Sequence, residues 1–146
     1  KRPPRKPHAP VLTKDLIIQI AIVTTCILIS AYGLFELAIN DNASLEEART
    51  IVVNTIVMIE IFYLFNCRSL TKSILGIGFF SNKLIFLGVI IMILLQITFT
   101  YAPFMNDIFQ SKPIGIESWL NIIWVSAVTF LIVEVEKLVS NRLNPR

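Results

Sequence analysis

The sequence carries little charge: only 16% of its 146 residues are Asp, Glu, Lys or Arg, whereas a soluble domain has about a quarter. It has one histidine, His8, and two cysteines, Cys26 and Cys67, and none of the three has a partner at metal-ligand spacing. It also lacks a phosphate-binding glycine loop and a Ser–His–Asp set. We therefore expect no catalytic residue, no bound cofactor and no nucleic-acid partner in this chain.

Long apolar runs take the place of the missing charges, since 55% of the residues are hydrophobic. A membrane-spanning helix needs about 20 predominantly apolar residues. We predict such helices over about residues 16–39, 48–66, 83–102 and 118–138. The predicted fold is all-α, an integral membrane four-helix bundle of two hairpins, with residues 15–146 as its four-span transmembrane domain.

The placement of Lys and Arg predicts the orientation, because cytoplasmic segments carry an excess of both. Basic residues lie before the first span, between the second and third, and after the fourth: Lys1, Arg2, Arg5, Lys6, Lys14, Arg68, Lys72, Lys83, Lys137, Arg142 and Arg146. The two other connections hold only Arg49 and Lys112. Both termini and the middle loop are therefore predicted to be cytoplasmic, in a bacterial inner membrane or an equivalent membrane.

Residues 1–14 form a basic segment with four prolines among the first ten residues, which predicts an extended cytoplasmic linker. It is not a signal peptide, because the apolar run after it is too long and no small-residue cleavage site ends that run. One interpretation is a polybasic anchor on anionic lipid. Another is a connector to an upstream segment, which the first residue, Lys rather than Met, favours.

Glu60 lies deep inside the apolar run of residues 50–65. An ionised carboxylate at that depth costs roughly 2.5–3.5 kcal/mol on insertion scales, so its presence indicates an ion or proton pathway, or else a protonated carboxyl bonded to a neighbouring helix. No other predicted span offers an acid or a base at this depth. A dehydrated Ca²⁺ takes about six to eight oxygens. If Glu60 serves an ion site, the other ligands lie outside this sequence.

The remaining polar residues of the predicted spans fit structural roles. Ser and Thr in membrane helices mostly bond their own backbone. Gln19 and Gln96 are predicted to bond neighbouring helices rather than ligands, and Trp119 is predicted to be an anchor at the outer interface.

Several sequence patterns have counterparts in one protein family. Residues 2–7 (RPPRKP), followed by a membrane hairpin, resemble the segment that joins the sixth and seventh membrane helices of P2-type cation-transporting ATPases. Residues 59–70 (IEIFYLFNCRSL) resemble their eighth helix, and residues 101–119 are similar to the outer loop between the ninth and tenth. Glu134 and Lys137 fit a Glu-x-x-Lys pattern at the end of the last helix.

The resemblance implies that the chain is the last four membrane helices of a calcium-pump-like protein, its C-terminal support domain. Glu60 then occupies the position of a cation ligand, and the other ligands come from the fourth, fifth and sixth helices, which precede Lys1. The implied partners are the lipid bilayer and the missing N-terminal membrane helices and cytoplasmic domains. ATP, Mg²⁺ and the transported cation, Ca²⁺ in the first place, belong to the parent. The chain alone would be no enzyme, while the parent would be a P-type cation-transporting ATPase.

A different interpretation is a stand-alone four-helix membrane protein, an oligomeric channel or an adaptor. In a channel, Glu60 from several subunits would line a symmetric centre and coordinate a cation. The two interpretations differ in the partner of Glu60: other helices of one long polypeptide, or copies of the same chain.

Overall fold

A computed structural model describes residues 14–66 and 83–143. The predictions for the linker before Lys14 and for the middle loop 67–82, including Cys67, fall outside these ranges. Within the two described ranges all regular structure is helical, which confirms the all-α prediction.

The described residues form five helices. Their bounds are α1 Lys14–Asn40, α2 Leu45–Asn66, α3 Lys83–Tyr101, α4 Pro103–Phe109 and α5 Ile116–Leu143. By length and composition α1, α2 and α3 can each cross a membrane. The longest helix is α5, with 28 residues, and it carries Glu134, Glu136 and Lys137 near its end. The short α4 was not predicted. It has seven residues and begins at Pro103, where the fixed φ of proline suits the first turn of a helix.

A tight turn joins α1 to α2. The Ala43 N–H donates to the Ala38 carbonyl at 3.0 Å, and the Asn42 N–H donates to the Ile39 carbonyl at 3.1 Å. Asn42 has φ of 61°, in the left-handed region that favours Gly or Asn. This pair of bonds is a Schellman motif, and it satisfies carbonyls that the end of α1 leaves without helical partners.

The start of α2 is fixed by a capping serine. The Glu47 N–H donates to Ser44 Oγ at 3.3 Å, and the order Ser-x-x-Glu is that of a capping box. The helix therefore begins at Leu45 rather than near residue 48, where the apolar run predicted its start.

The second helix is central to the packing: α2 contacts α1, α3 and α5, and α1 also contacts α5. One hydrophobic cluster lies at the α1–α2 turn and consists of Leu34, Ala38, Ala48, Ile51, Ile114 and Ile122. By contrast α3 packs chiefly on α2 and α4. Its buried residues are Val89 and Thr100 alone, so very little apolar burial holds it on α2.

The two connections 41–44 and 102–115 lie at the same end of the molecule. The Lys112 N–H donates to Thr50 Oγ1 at 2.9 Å, and Lys112 Nζ donates to Ser44 Oγ at 3.2 Å. The second connection is therefore hydrogen-bonded to the first turns of α2.

Two aromatic side chains fasten the start of α5 to the end of α3. Trp119 Nε1 donates to the Tyr101 hydroxyl at 2.8 Å, and that hydroxyl donates to the Ile114 carbonyl at 2.9 Å. The tryptophan predicted as an interface anchor thus also makes a hydrogen bond between two helices.

Candidate cation site

Glu60 lies on the one face of α2 that no described helix covers. The exposed side chains of α2 are Leu45, Arg49, Val53 and Glu60. Their spacings of four, four and seven residues place them on one side of the helix. We call these four residues the free face of α2. Glu60, which lies deep inside an apolar run of the sequence, is therefore directed away from the rest of the described fold.

The opposite side of α2 is closely packed, and this determines where Glu60 points. Ala48, Thr55 and Ile59 are at most 1% exposed. They lie on the side that meets α1 and α5, so the rotation of α2 about its axis is fixed by core packing. Glu60 could not turn inward without exposing these residues.

The Glu60 carboxylate makes no hydrogen bond or ion pair within the described part of the chain. The alternative of a carboxyl bonded to a neighbouring helix of this chain is thus not formed there. The described residues also contain no group of three or more His, Cys, Asp or Glu side chains that could hold a metal ion. On the free face they supply a single carboxylate.

A groove runs along the outer part of the free face. Its lining includes Phe35 of α1, Arg49 and Val53 of α2, and Phe99 of α3, and its volume is about 600 Å³. The free face is its floor, and α1 and α3 are its walls. Glu60 lies on the same face about two turns beyond Val53. The groove thus leads along α2 towards the carboxylate.

A buried polar cluster joins α2 to α3. We call Asn54, Gln96 and Thr100 the amide cluster. Asn54 Nδ2 donates to Thr100 Oγ1 at 3.0 Å, and Gln96 Nε2 donates to Asn54 Oδ1 at 2.9 Å. Asn54 and Thr100 are both fully buried. The prediction that Gln96 bonds a neighbouring helix is confirmed.

The amide cluster extends to the outer connection through Thr50. Asn54 Nδ2 also donates to the Thr50 carbonyl at 2.9 Å. The Thr50 hydroxyl donates to the Glu46 carbonyl and accepts the Lys112 N–H, at 2.8 and 2.9 Å. Asn54 was not predicted to belong to a site, although it is an amide in the same apolar run as Glu60. The available signal was a second polar side chain in this run, six residues before Glu60.

Other polar residues that the sequence analysis named lie apart from this site. Gln19 is buried, but its Nε2 has no hydrogen-bond partner within the described ranges, so the predicted interhelical bond is not found there. Cys26 of α1 is a partly buried free thiol. Glu134 and Lys137, which carry the Glu-x-x-Lys pattern, are both buried near the end of α5.

A family model described as cation transporting ATPase, C-terminus, matches residues 1–139. This range includes α1 to α4 and most of α5, so the match covers Glu60, the amide cluster and both outer connections.

Three relatives illustrate the similarity. A probable cation-transporting ATPase F of Mycobacterium tuberculosis is 41% identical over 137 residues, or 94% of this chain. A calcium-transporting ATPase 1 of Saccharomyces cerevisiae is 31% identical over 146 residues, or 99% of this chain. A calcium-transporting ATPase type 2C member 2 of Rattus norvegicus is 30% identical over 139 residues, or 94% of this chain. The chain spans 15% of the length of each of these relatives.

Proposed function

The chain belongs to the family of C-terminal domains of cation-transporting ATPases, and we propose that it is the transmembrane support domain of an ATP-driven cation pump. In this proposal residues 1–14 are a cytoplasmic linker and residues 15–146 form four spans, namely α1, α2, α3 and α5. The first three are apolar enough by composition. The 28 residues of α5 extend about 42 Å, which exceeds the roughly 30 Å of a bilayer core.

In the proposed orientation both termini are cytoplasmic. The support comes from the connections 41–44 and 102–115, which lie together at one end and hold Lys112 as their only Lys or Arg. The opposite end holds the start of α1, the end of α2, the start of α3 and the end of α5. The connections at the first end hold a single basic residue, and basic segments favour the cytoplasm. The second end therefore faces the cytoplasm.

Glu60 contributes one carboxylate ligand to the transport site. The observation that carries this proposal is the position of Glu60 on the free face of α2, without a partner in the described residues. An intramembrane acid directed away from its own bundle requires a partner from elsewhere, because an isolated charge in the membrane is costly. The remaining ligands come from helices of the parent outside this chain.

The transported ion in this proposal is Ca²⁺. The yeast and rat relatives are named as calcium-transporting ATPases, and carboxylate oxygens are the ligands that Ca²⁺ prefers. ATP and Mg²⁺ act in parts of the parent outside this chain. The chain alone binds no ATP and moves no ion.

Cation activation of ATP hydrolysis in the full-length parent tests the ligand role. Glu60→Gln removes the charge and keeps the shape, so the Ca²⁺ concentration for half-maximal activation should rise at least about tenfold, the lower limit for losing even an outer partner of a metal site. Glu117→Gln is the matched control, because Glu117 is an exposed acid in the first turn of α5. Equal activation in the two variants would reject Glu60 as a ligand.

Ion flux across the membrane of liposomes that contain the chain alone distinguishes the pump proposal from the channel interpretation. The support domain should conduct nothing. If the chain forms stable oligomers that conduct ions, and Glu60→Gln abolishes that conduction, the pump proposal is rejected. The chain would then be an oligomeric channel lined by the Glu60 carboxylate.

A further inference from the structure

We propose that Asn54 and Thr100 are positioning residues, which hold α3 in register on α2 and so fix one wall of the groove that runs along the free face of α2 towards Glu60. The inference rests on the proposed function of Glu60 and extends it to a second set of side chains on the other side of α2. None of the three residues of the amide cluster touches the ion in this proposal.

Few apolar side chains of α3 are buried, although Phe86 of α3 does contact Phe65 of α2, with ring centroids 5.8 Å apart. The buried residues of α3 are Val89 and Thr100, and many of its large apolar side chains are exposed, including Leu84, Leu87 and Leu94. In a membrane such side chains gain nothing from leaving lipid, because lipid tails are as apolar as leucine. Apolar burial therefore gives α3 no strong preference for one register on α2 over the next.

The amide cluster, in contrast, specifies one register of α3 on α2. The Asn54 amide bonds two α3 residues, donating to Thr100 Oγ1 and accepting from Gln96 Nε2. Thr100 Oγ1 is also 3.3 Å from Asn54 Oδ1, and it bonds the Gln96 carbonyl at 2.8 Å. A shift of α3 by one residue would move it about 1.5 Å along its axis and turn its side chains by about 100°. All bonds from α3 to Asn54 would break, and the buried Asn54 amide would keep only its bond to the Thr50 carbonyl of its own helix. Register selection is the best-attested role of buried polar groups in helical assemblies.

The register of α3 also sets the shape of the groove. The outer part of α3 supplies Phe99 to the groove, next to Thr100 in sequence. Phe99 packs edge-on against Phe109 of α4, with ring centroids 5.6 Å apart. A shifted α3 would therefore carry both aromatic rings out of place and change the width of the groove. The groove that leads towards Glu60 would change shape although Glu60 itself is unchanged.

The experiment uses the full-length parent and a matched pair at one position. Thr100→Val removes the hydroxyl and keeps the shape, whereas Thr100→Ser keeps the hydroxyl. We expect Thr100→Val to raise the Ca²⁺ concentration for half-maximal ATP hydrolysis roughly 2- to 30-fold, the range for residues that couple to a site without touching its ligand. The maximal rate per amount of protein should be retained, and Thr100→Ser should match the wild type. If Thr100→Val does not reach the membrane, Gln96→Leu tests the same link.

A second comparison separates a positioning role from a merely structural one. If the amide cluster acts through the free face of α2, Thr100→Val should have little further effect in a Glu60→Gln background. The Ca²⁺ concentration for half-maximal ATP hydrolysis should then rise by less than about twofold beyond that of Glu60→Gln alone, since coupled sites are not additive. A Thr100→Val variant that loses only protein yield or maximal rate, or whose effect adds fully to that of Glu60→Gln, would overturn the proposal. An unchanged Glu60→Gln would instead reject the ligand assignment, while an unchanged Thr100→Val beside a responding Glu60→Gln would reject the positioning role alone.

Discussion

The Thr50 hydroxyl joins the outer connection to α2, and Thr50→Val removes that link with almost no change in shape. Thr50 is 1% exposed, and its hydroxyl accepts the Lys112 N–H at 2.9 Å. Deleting a hydrogen-bond partner costs about 1–3 kcal/mol when the other group stays buried, and interhelical bonds in membrane proteins average roughly 0.6 kcal/mol. The Lys112 side chain is exposed, so its amide can regain water in part. We expect Thr50→Val to lower the free energy of unfolding by about 1 kcal/mol.

Thr55→Val is the matched control for this substitution. Thr55 lies on the same helix and is equally buried, but its hydroxyl bonds only the Ile51 carbonyl of its own helix, at 2.7 Å. Such back-bonds contribute little to helix stability, so the cost should stay below about 0.5 kcal/mol. The assay is SDS-induced unfolding of the chain in mild detergent micelles, followed by far-UV circular dichroism. Equal losses in the two variants would refute the assignment of a tertiary role to the Thr50–Lys112 bond.

Two further substitutions test the fold in the same assay. Ser44→Ala should lower the free energy of unfolding by about 1 kcal/mol, because the Glu47 N–H loses its capping acceptor. An unchanged midpoint of unfolding would contradict the cap. Ile122→Ala should lower the free energy of unfolding by about 2–5 kcal/mol because Ile122 is fully buried. As its control, Ile123→Ala at a 44% exposed position should lower it far less. Similar losses in these two variants would place the core elsewhere.

The sequence alone predicted the four long helices and drew attention to Glu60, because both signals are local, but it did not predict α4. Long apolar runs predict spans from composition, and an acid within such a run is conspicuous whatever its surroundings. The direction of Glu60 was not predictable in the same way. It depends on which sides of α2 are covered by α1, α3 and α5, which is a tertiary property. In a membrane helix an apolar residue can face either lipid or protein, so periodicity gives little information.

The amide cluster shows a second limit of the sequence analysis. Gln96 was predicted to bond another helix, and it does, yet its partner Asn54 was not identified. The two amides are 42 positions apart in the sequence. To predict that they pair, one must know the register of one helix on the other, which is a tertiary property. The start of α2 is different, since Ser44 and Glu47 already form a readable capping box. The apolar run alone places the start of the helix near residue 48, whereas the capped helix begins at Leu45.

Equilibrium binding of radiolabelled Ca²⁺ to the full-length parent, in its wild-type form and as Glu60→Gln and Glu117→Gln, tests the central claim most directly. The account predicts weakened binding in Glu60→Gln and wild-type binding in Glu117→Gln, since only the first carboxylate lies on the free face of α2. Wild-type Ca²⁺ binding in Glu60→Gln would contradict the claim that this chain contributes a ligand to the transport site.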